Sequence, residues 1–343
     1  MTTRSWIAGL LVVAACGGPA GAIVNQPSPS SRAPGLRADT WTWDGAAWHA
    51  AIAGGPSPRY AAALAYDAEH KSYVLFGGQT GKGSSDETWL WDGHRWTMAD
   101  PSHKPSARQA AAMAYDPEQK VVVLYGGLVQ DKAEGTPASD TWTWDGSDWT
   151  ALSDLSDTVG ARLGARMVTA GSKVILFGGG LAPNDGLYGN AFAWDGRAWT
   201  SIDREPRPPG RYGAAVAWTS DGSSLLVFGG NGLDPNAGPG AAGLALGDTW
   251  SLRGGAWTRL ASTGPPATGQ VNALWQAQPG RVLVMFGNAG IKCPTPTNAV
   301  WAWDGSAWLQ LASAAPPPRW GAALAQDADS GALVFGGSDE PGC

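Results

Sequence analysis

Five arginines recur at one position of a repeated sequence unit, and they are the residues best suited to ligand chemistry. They are Arg59, Arg108, Arg162, Arg211 and Arg319, and Arg166 adds a further arginine four residues after Arg162. A guanidinium group carries a fixed positive charge and a planar set of donors that matches a carboxylate or a phosphate. If these side chains meet at one mouth of the fold, they predict a site for an anion such as a carboxylate or an acidic sugar.

Acidic residues at a second repeated position give the arginines another set of partners. The residues at this position are Asp39, Glu87, Asp140, Asn190, Asp248 and Ala299. The unit with Ala299 also lacks the arginine and has Gly269 in the alignment, and this joint loss indicates pairing inside each unit. Two interpretations stay open, a ligand-binding ring and internal ion pairs. The third unit, with Arg162, Arg166 and Asn190, is the first place to look for a bound anion.

A long loop at residues 231–247 is the other candidate binding segment. It carries Asn231 and Asp234, and loops on a rigid scaffold often carry recognition. Its spacing matches no calcium-binding loop, and an insertion without a role remains an alternative.

Catalytic and metal-binding patterns are weak in this sequence. The four histidines, His49, His70, His94 and His103, fall in different parts of the repeat, and no His-x-His or Cys-x-x-Cys motif is present. No Gly-x-Ser-x-Gly motif is present either. We expect no metal, no cofactor and no catalytic residue. Glu87 beside Arg59 is the one acid–base pair that can be nominated.

The elements that must position these residues come from a pattern that occurs six times. An apolar run ends in Gly-Gly at residues 77–78, 126–127, 178–179, 229–230 and 336–337, and in Gly287-Asn288 in the fifth unit. The first glycines are 49, 52, 51, 58 and 49 residues apart, and a period near 50 is typical of propellers. Each unit predicts four strands: a, which begins at the arginine, b before the Gly-Gly, and c and d around an Asp-Gly turn.

The ends of the repeated region complement each other. Residues 39–50 supply only strands c and d, whereas residues 319–337 supply only strands a and b. The sequence therefore predicts a sixth unit shared between the termini, which closes the ring and removes exposed edge strands. The expected fold is all-β, a six-bladed β-propeller over residues 39–343 with almost no helix.

Tryptophan is concentrated in these units. Nineteen of the twenty tryptophans lie in the repeats, sixteen of them in strands c and d. Each buried aromatic side chain removes about 150–250 Å² from water, so the pattern favours packing between neighbouring sheets. A platform for carbohydrate is the alternative.

The arrangement resembles the kelch repeat family, in which Gly-Gly ends the second strand and a spaced aromatic pair precedes the fourth. The resemblance covers residues 39–337; Gly287-Asn288 and Leu252-Arg253-Gly254 depart from it in units five and four. It implies a six-bladed kelch propeller similar to the central domain of galactose oxidase. Some kelch domains bind acidic peptides on the b–c face. Copper chemistry is not expected, because the histidines and cysteines are misplaced for it. A kelch sialic-acid mutarotase is the best enzymatic comparison.

The amino terminus predicts export. The apolar run Trp6 to Ala15 follows Arg4 and is too short for a membrane-spanning helix. Val13-Ala14-Ala15-Cys16 resembles the bacterial lipobox, so we expect residues 1–15 to be a lipoprotein signal peptide and Cys16 to carry lipid. An ordinary signal peptide is the alternative. Residues 16–38 are predicted to form a flexible tether, with the domain anchored by lipid outside the cytoplasmic membrane of a bacterium.

Two cysteines in adjacent units suggest a crosslink. Cys293 and Cys343 follow the first glycine of units five and six by six and seven residues. Such a pair oxidises outside the cytoplasm, which predicts a Cys293–Cys343 disulfide. Two free thiols or a bridge to a partner are the alternatives.

The charge composition bears on the class of partner. The 23 basic and 29 acidic residues give a net charge of −6 without basic clusters, which argues against nucleic acid as a partner. We expect a monomeric binding module that recognises a protein or a carbohydrate through its b–c loops. The alternatives are an enzyme of the mutarotase type that acts on an acidic sugar, and a structural spacer without a ligand.

Overall fold

The computed structural model describes most of the chain after residue 34. The described residues are 35–51, 54–130, 135–153, 156–182, 185–219, 221–233, 244–260, 264–276, 280–289, 295–311, 316–327, 329 and 331–341, and all lie in one compact unit, Ser31–Cys343. Cys16, Asp234, Cys293 and Cys343 fall outside them, so the signal peptide, lipidation and disulfide stay predictions. Within the described ranges no helix is long and apolar enough to cross a membrane.

Six four-stranded antiparallel sheets dominate the structure, and the helix in the described part is the single turn Ser156–Val159. In the order a, b, c, d, the strands are Ala63–Asp67, Ser72–Phe76, Thr88–Trp91 and Trp96–Met98 in sheet 1; Ala112–Asp116, Val121–Tyr125, Thr141–Trp144 and Trp149–Leu152 in sheet 2; Arg166–Ala170, Lys173–Phe177, Ala191–Trp194 and Trp199–Ser201 in sheet 3; Ala215–Trp218, Leu225–Phe228, Thr249–Arg253 and Ala256–Leu260 in sheet 4; Asn272–Gln276, Arg281–Met285, Val300–Trp303 and Trp308–Leu311 in sheet 5; and Ala323–Gln326, Ala332–Phe335, Thr40–Trp43 and Trp48–Ala51 in sheet 6. The prediction of an all-β chain is confirmed.

Sheet 6 combines strands from the two ends of the folded part. Thr40–Trp43 pairs antiparallel with Ala332–Phe335, with Thr40 opposite Phe335. Pairing also extends before Asp39, because the Arg37 N–H donates to Gly337 O at 2.9 Å and Leu36 bridges to Ser338. The last residues of the predicted tether therefore belong to the folded part.

The a strands line a common central space. Strand a of each sheet contacts strand a of the next sheet, and strand a of sheet 6 contacts that of sheet 1. The wall of this space is mostly alanine, with Ala63, Ala112, Ala215 and Ala323 at one equivalent position. The arrangement is consistent with the predicted β-propeller.

Short strands at one end of this space carry Arg59, Arg108 and Arg211, while Arg162 precedes an isolated bridge at Leu163 and Arg319 forms one with Thr297. The short strands form small sheets, namely Arg59–Tyr60, Gln79–Thr80 and Gly83–Ser84; Arg108–Gln109, Leu128–Val129 and Thr136–Pro137; Gly180–Ala182 and Asp185–Leu187; Arg211–Tyr212, Asn231–Gly232 and Leu244–Ala245; and Thr268–Gly269, Asn288–Ala289 and Thr295–Pro296. The expectation that the arginine begins strand a is wrong. A residue with φ between 50° and 65° separates the two segments, and it is Ala61, Ala110, Gly164, Gly213, Gln270 or Gly321.

The residue with positive φ also shows which residue of unit five is equivalent to the arginine of the other units. In every other unit the arginine lies two positions before it. Counting back from Gln270 gives Thr268, so Thr268 and not Gly269 replaces the arginine in this unit.

Tryptophans of strands c and d form the core between sheets. Trp149 packs against Phe76 of the preceding sheet and against Trp144 of its own, each with 5.4 Å between ring centroids. Its Nε1 donates to Thr88 Oγ1 across the sheets at 2.9 Å. Trp91 and Trp194 are also almost fully buried. For these side chains the prediction of packing between sheets is confirmed.

Candidate functional site

Three of the repeated arginines form two-point ion pairs with the acid of their own unit. Arg108 Nη1 and Nη2 donate to Asp140 at 2.6 and 2.8 Å. The corresponding distances are 2.6 and 2.9 Å for Arg211 with Asp248, and 2.9 and 2.7 Å for Arg319 with Asp39. Each Nη1 also donates to the carbonyl of the first repeated glycine, as Arg108 does to Gly126 at 2.9 Å.

Arg59 pairs with Glu87 through a single bond of 2.5 Å. In all four of these units the acid also accepts a hydrogen bond from a strand c tryptophan, from Trp41, Trp89, Trp142 and Trp250. Burial raises the pKa of the four carboxyls, but the hydrogen bonds and charge of the arginine outweigh it, so each pKa lies below its ordinary value. Internal pairing occupies these four arginines.

The backbone of the arginine in the next unit lies in direct contact with the Gly-Gly pair, which explains why this position has glycine. The N–H of Gly127 donates to Arg162 O at 3.0 Å. A Cβ on Gly126 would lie 2.5 Å from this same oxygen, and the φ of Gly126 is +63°. A side chain does not fit there, so glycine at this position allows the backbones of neighbouring units to pack in direct contact.

Arg162 is buried, and no carboxylate of the described residues pairs with it. It donates to Gly178 O at 2.9 Å, to Asn190 Oδ1 at 3.2 Å and to the carbonyl of Val159. Its guanidinium carbon lies 4.2 Å from the centre of the Tyr188 ring. Burial lowers the pKa of Arg162 to about 10, so it stays protonated at neutral pH. Its charge is solvated by neutral groups.

Arg166 points into the central space and has no partner among the described residues. It occupies the strand a position at which four other units have alanine and unit five has Asn272. Its Nε–H is buried and donates to no acceptor among the described residues. Burial alone lowers the pKa of Arg166 to about 10. Sheet 3 therefore places in an alanine-lined channel a positive charge that no described residue pairs with.

A cavity of about 280 Å³ lies over Arg166, at the end of the channel that carries the b–c connections. Each unit contributes to its wall, and the larger side chains are Tyr60, Gln109, Leu163, Tyr212, Gln270 and Trp320. The rings of Tyr60 and Trp320 are 5.0 Å apart. Both tyrosines are half-buried, and this burial raises the pKa of Tyr60 and of Tyr212. We call this space the mouth cavity.

No protein-family model matches the sequence, and no curated protein is significantly similar to it. The kelch resemblance therefore rests on the repeat pattern itself. The structure supports the coarser statement, an all-β chain of four-stranded antiparallel sheets.

The structure brings only one of the predicted arginines to the mouth cavity. Arg166 lines it, whereas the side chains of Arg59, Arg108, Arg211 and Arg319 are bound to acids. Asn231 lies on a short strand beside this end, with its amide where a Cβ of Gly269 would be. Asp234 lies outside the described residues.

The aromatic residues of the mouth were not singled out from the sequence. Tyr60, Tyr212 and Trp320 each follow a repeated arginine directly, and this shared position is the sequence feature that could have identified them. The pattern is weak, because Gln109 and Leu163 occupy the same position in other units. Three histidine side chains each pair with one carboxylate, namely His49 with Asp44, His70 with Asp67 and His103 with Asp148. The described residues contain no cluster of three or more potential metal ligands.

Proposed function

We propose that this chain is a six-bladed kelch-type β-propeller that acts as a binding module outside the cytoplasm of a bacterium, anchored by lipid at Cys16. Six four-stranded sheets, the contacts of their a strands in cyclic order and the pairing of both termini in sheet 6 support the propeller. The repeat near 50 residues supports the kelch type. The lipobox-like sequence before Cys16 supports the anchor.

The b–c end of the propeller is the binding face. The observation that carries this assignment is the mouth cavity, which combines three aromatic rings with two glutamine side chains. Concave sites with aromatic walls and a few polar groups are typical ligand pockets. The cavity is too small for a whole protein domain, so it takes a sugar residue or one side chain of a protein partner.

The enzymatic alternative has less support than binding. Proton transfer on a sugar needs a carboxyl or another group with a pKa near neutrality. Glu87 has its pKa lowered by Arg59, Trp89 and Ser85 despite the opposing effect of burial. It is also held in an ion pair that other units repeat. Glu87 is therefore a structural residue of sheet 1.

Binding is tested with the full-length protein against neutral oligosaccharides and acidic peptides, by thermal shift and then calorimetry. We expect at least one saturable ligand whose affinity falls at least tenfold in Trp320→Ala and Tyr212→Ala. The control is Met98→Ala, because Met98 is an exposed apolar residue of strand d in sheet 1. The proposal is wrong if nothing binds, or if both mouth variants bind as well as the control.

A further inference from the structure

We propose that Arg166 binds the carboxylate of a small organic monoanion, whose ring lies among the aromatic residues of the mouth cavity. The inference deepens the proposed binding function and rests on it. It gives the ligand a charge, an anchoring group and a size.

Packing of the channel wall does not require arginine at position 166. The equivalent residues Ala63, Ala112, Ala215 and Ala323 fill the channel wall with a methyl group each. An arginine there introduces a charge and a long side chain where neighbouring units pack without them. Such a residue is expected where it serves a ligand, since burying an unpaired charge is unfavourable.

The other arginines of the repeat show which partners a guanidinium with a structural role has in this fold. Arg108 satisfies its donors with a carboxylate and two backbone carbonyls. Arg162, without an acid, still donates to three carbonyls and an amide. Arg166 has none of these contacts in the described part of the chain, and its Nε is buried without an acceptor. Its donors are left for something that enters the cavity.

The residues that line the mouth cavity indicate the charge and the shape of the ligand. Arg166 is the one charged side chain in the described lining of the cavity, and the remaining lining is aromatic, apolar or amide. One uncompensated positive charge matches one negative charge, and the planar guanidinium matches a carboxylate. Tyr60, Tyr212 and Trp320 offer faces for a ring. At about 280 Å³, the cavity is at the lower end of ligand pockets, which are roughly 300–1,000 Å³.

The test uses calorimetry with the full-length protein at low chloride. The probes are benzoate and glucuronate, which share a ring and a carboxylate, with benzamide and glucose as their uncharged counterparts. Acetate tests the anion without the ring. We expect benzoate or glucuronate to bind saturably, at least tenfold more tightly than its uncharged counterpart and than acetate.

The matched variants are Arg166→Met and Arg95→Met. Both remove one positive charge, but Arg95 is exposed on a c–d turn of sheet 1. We expect Arg166→Met to weaken binding of the carboxylate about ten- to hundredfold, the range for a hydrogen bond to a charged group, and Arg95→Met to leave it unchanged. The unfolding temperature of ligand-free Arg166→Met should equal or exceed that of the wild type, because the variant loses an unpaired charge.

Several results overturn the inference. It is wrong if neither ring carboxylate binds, if Arg166→Met binds as the wild type does, or if acetate binds as tightly as the larger acids. A clear loss of stability in ligand-free Arg166→Met would instead give Arg166 a packing role. If neutral sugars or peptides bind through Trp320 while the carboxylates do not, the binding function survives and only this inference fails. If no probe of any class binds, both fail.

Discussion

Replacement of Asp140 tests whether the arginine–acid pairs hold the units together. Asp140 accepts two hydrogen bonds from Arg108 and one from Trp142 Nε1 at 2.7 Å. Asp140→Ala removes all three and leaves the Arg108 guanidinium, which is 2% exposed, without a counter-charge. Asp140→Asn removes the charge and one acceptor oxygen but keeps the other, as Asn190 does opposite Arg162.

The expected loss follows from burial. Breaking a fully buried ion pair from one side costs about 3–5 kcal/mol. The Asp140 side chain is 38% exposed, so water and solvent ions compensate part of this loss, and we expect about 2–3 kcal/mol for Asp140→Ala. For Asp140→Asn we expect about 1–2 kcal/mol, because a neutral acceptor still meets the guanidinium.

Urea unfolding followed by tryptophan fluorescence measures these losses, with Asp86→Asn as the control. Asp86 pairs with Lys104 at 2.8 Å, but both side chains are exposed, and surface pairs contribute about 0–1 kcal/mol. We expect the control to lose less than about 0.5 kcal/mol. Equal losses in Asp140→Asn and Asp86→Asn at pH 7 would refute the structural role of the pair.

The pH dependence gives an independent check. The pKa of Asp140 is lowered in the folded protein, so its contribution to stability is complete above the unfolded pKa of about 3.9. The contribution is lost as the pH falls from there through the folded pKa. The difference in unfolding free energy between the wild type and Asp140→Asn should therefore shrink under acid. A difference that stays constant down to pH 2.5 would contradict this mechanism.

Three further substitutions test the packing between units. Gly126→Ala should cost at least about 2 kcal/mol more than Gly93→Ala in urea unfolding, because both have positive φ but only the first brings a Cβ against the carbonyl of Arg162. Trp149→Phe should lose about 1 kcal/mol or more, since it removes a hydrogen bond between sheets; an unchanged unfolding temperature would argue against that bond. Asn190→Asp should raise the unfolding free energy by about 1 kcal/mol at pH 7 and not at pH 3, because Arg162 gains a carboxylate.

Much of the strand pattern could be predicted from the sequence because the repeat restates it in each unit. The Gly-Gly ends of strand b and the tryptophans of strands c and d lie where the pattern placed them. The break before strand a could not be predicted in the same way. Ala61 and Gln270 adopt a left-handed conformation that side chains rarely favour, so their identities give no warning of it.

The directions of the side chains at the candidate site were also hard to predict, because of the same left-handed residue. The left-handed residue sets the directions of the side chains on both of its sides, and without it the two arginines of unit three are predicted on one face of a single strand. The structure instead separates Arg162, bound by carbonyls, from Arg166, which faces the channel. Joint loss of the arginine and the acid in unit five correctly indicated internal ion pairs in four of the other five units, unit three with Asn190 being the exception.

The shared sheet also imposes a delay on folding. Thr40 pairs with Phe335, and 335 − 40 gives 295 positions between them. At a synthesis rate of roughly 5–20 residues per second, the amino-terminal hairpin exists for roughly 15–60 s before strand b of sheet 6 has been made. Throughout that interval the edge of the hairpin has no neighbouring strand to pair with. Its tryptophans Trp41, Trp43 and Trp48 likewise lack the residues of strand b that they pack against in the folded protein. A chain that stops before residue 332 never supplies them, so a stalled ribosome and a carboxy-terminal nonsense mutation leave the same exposed hairpin.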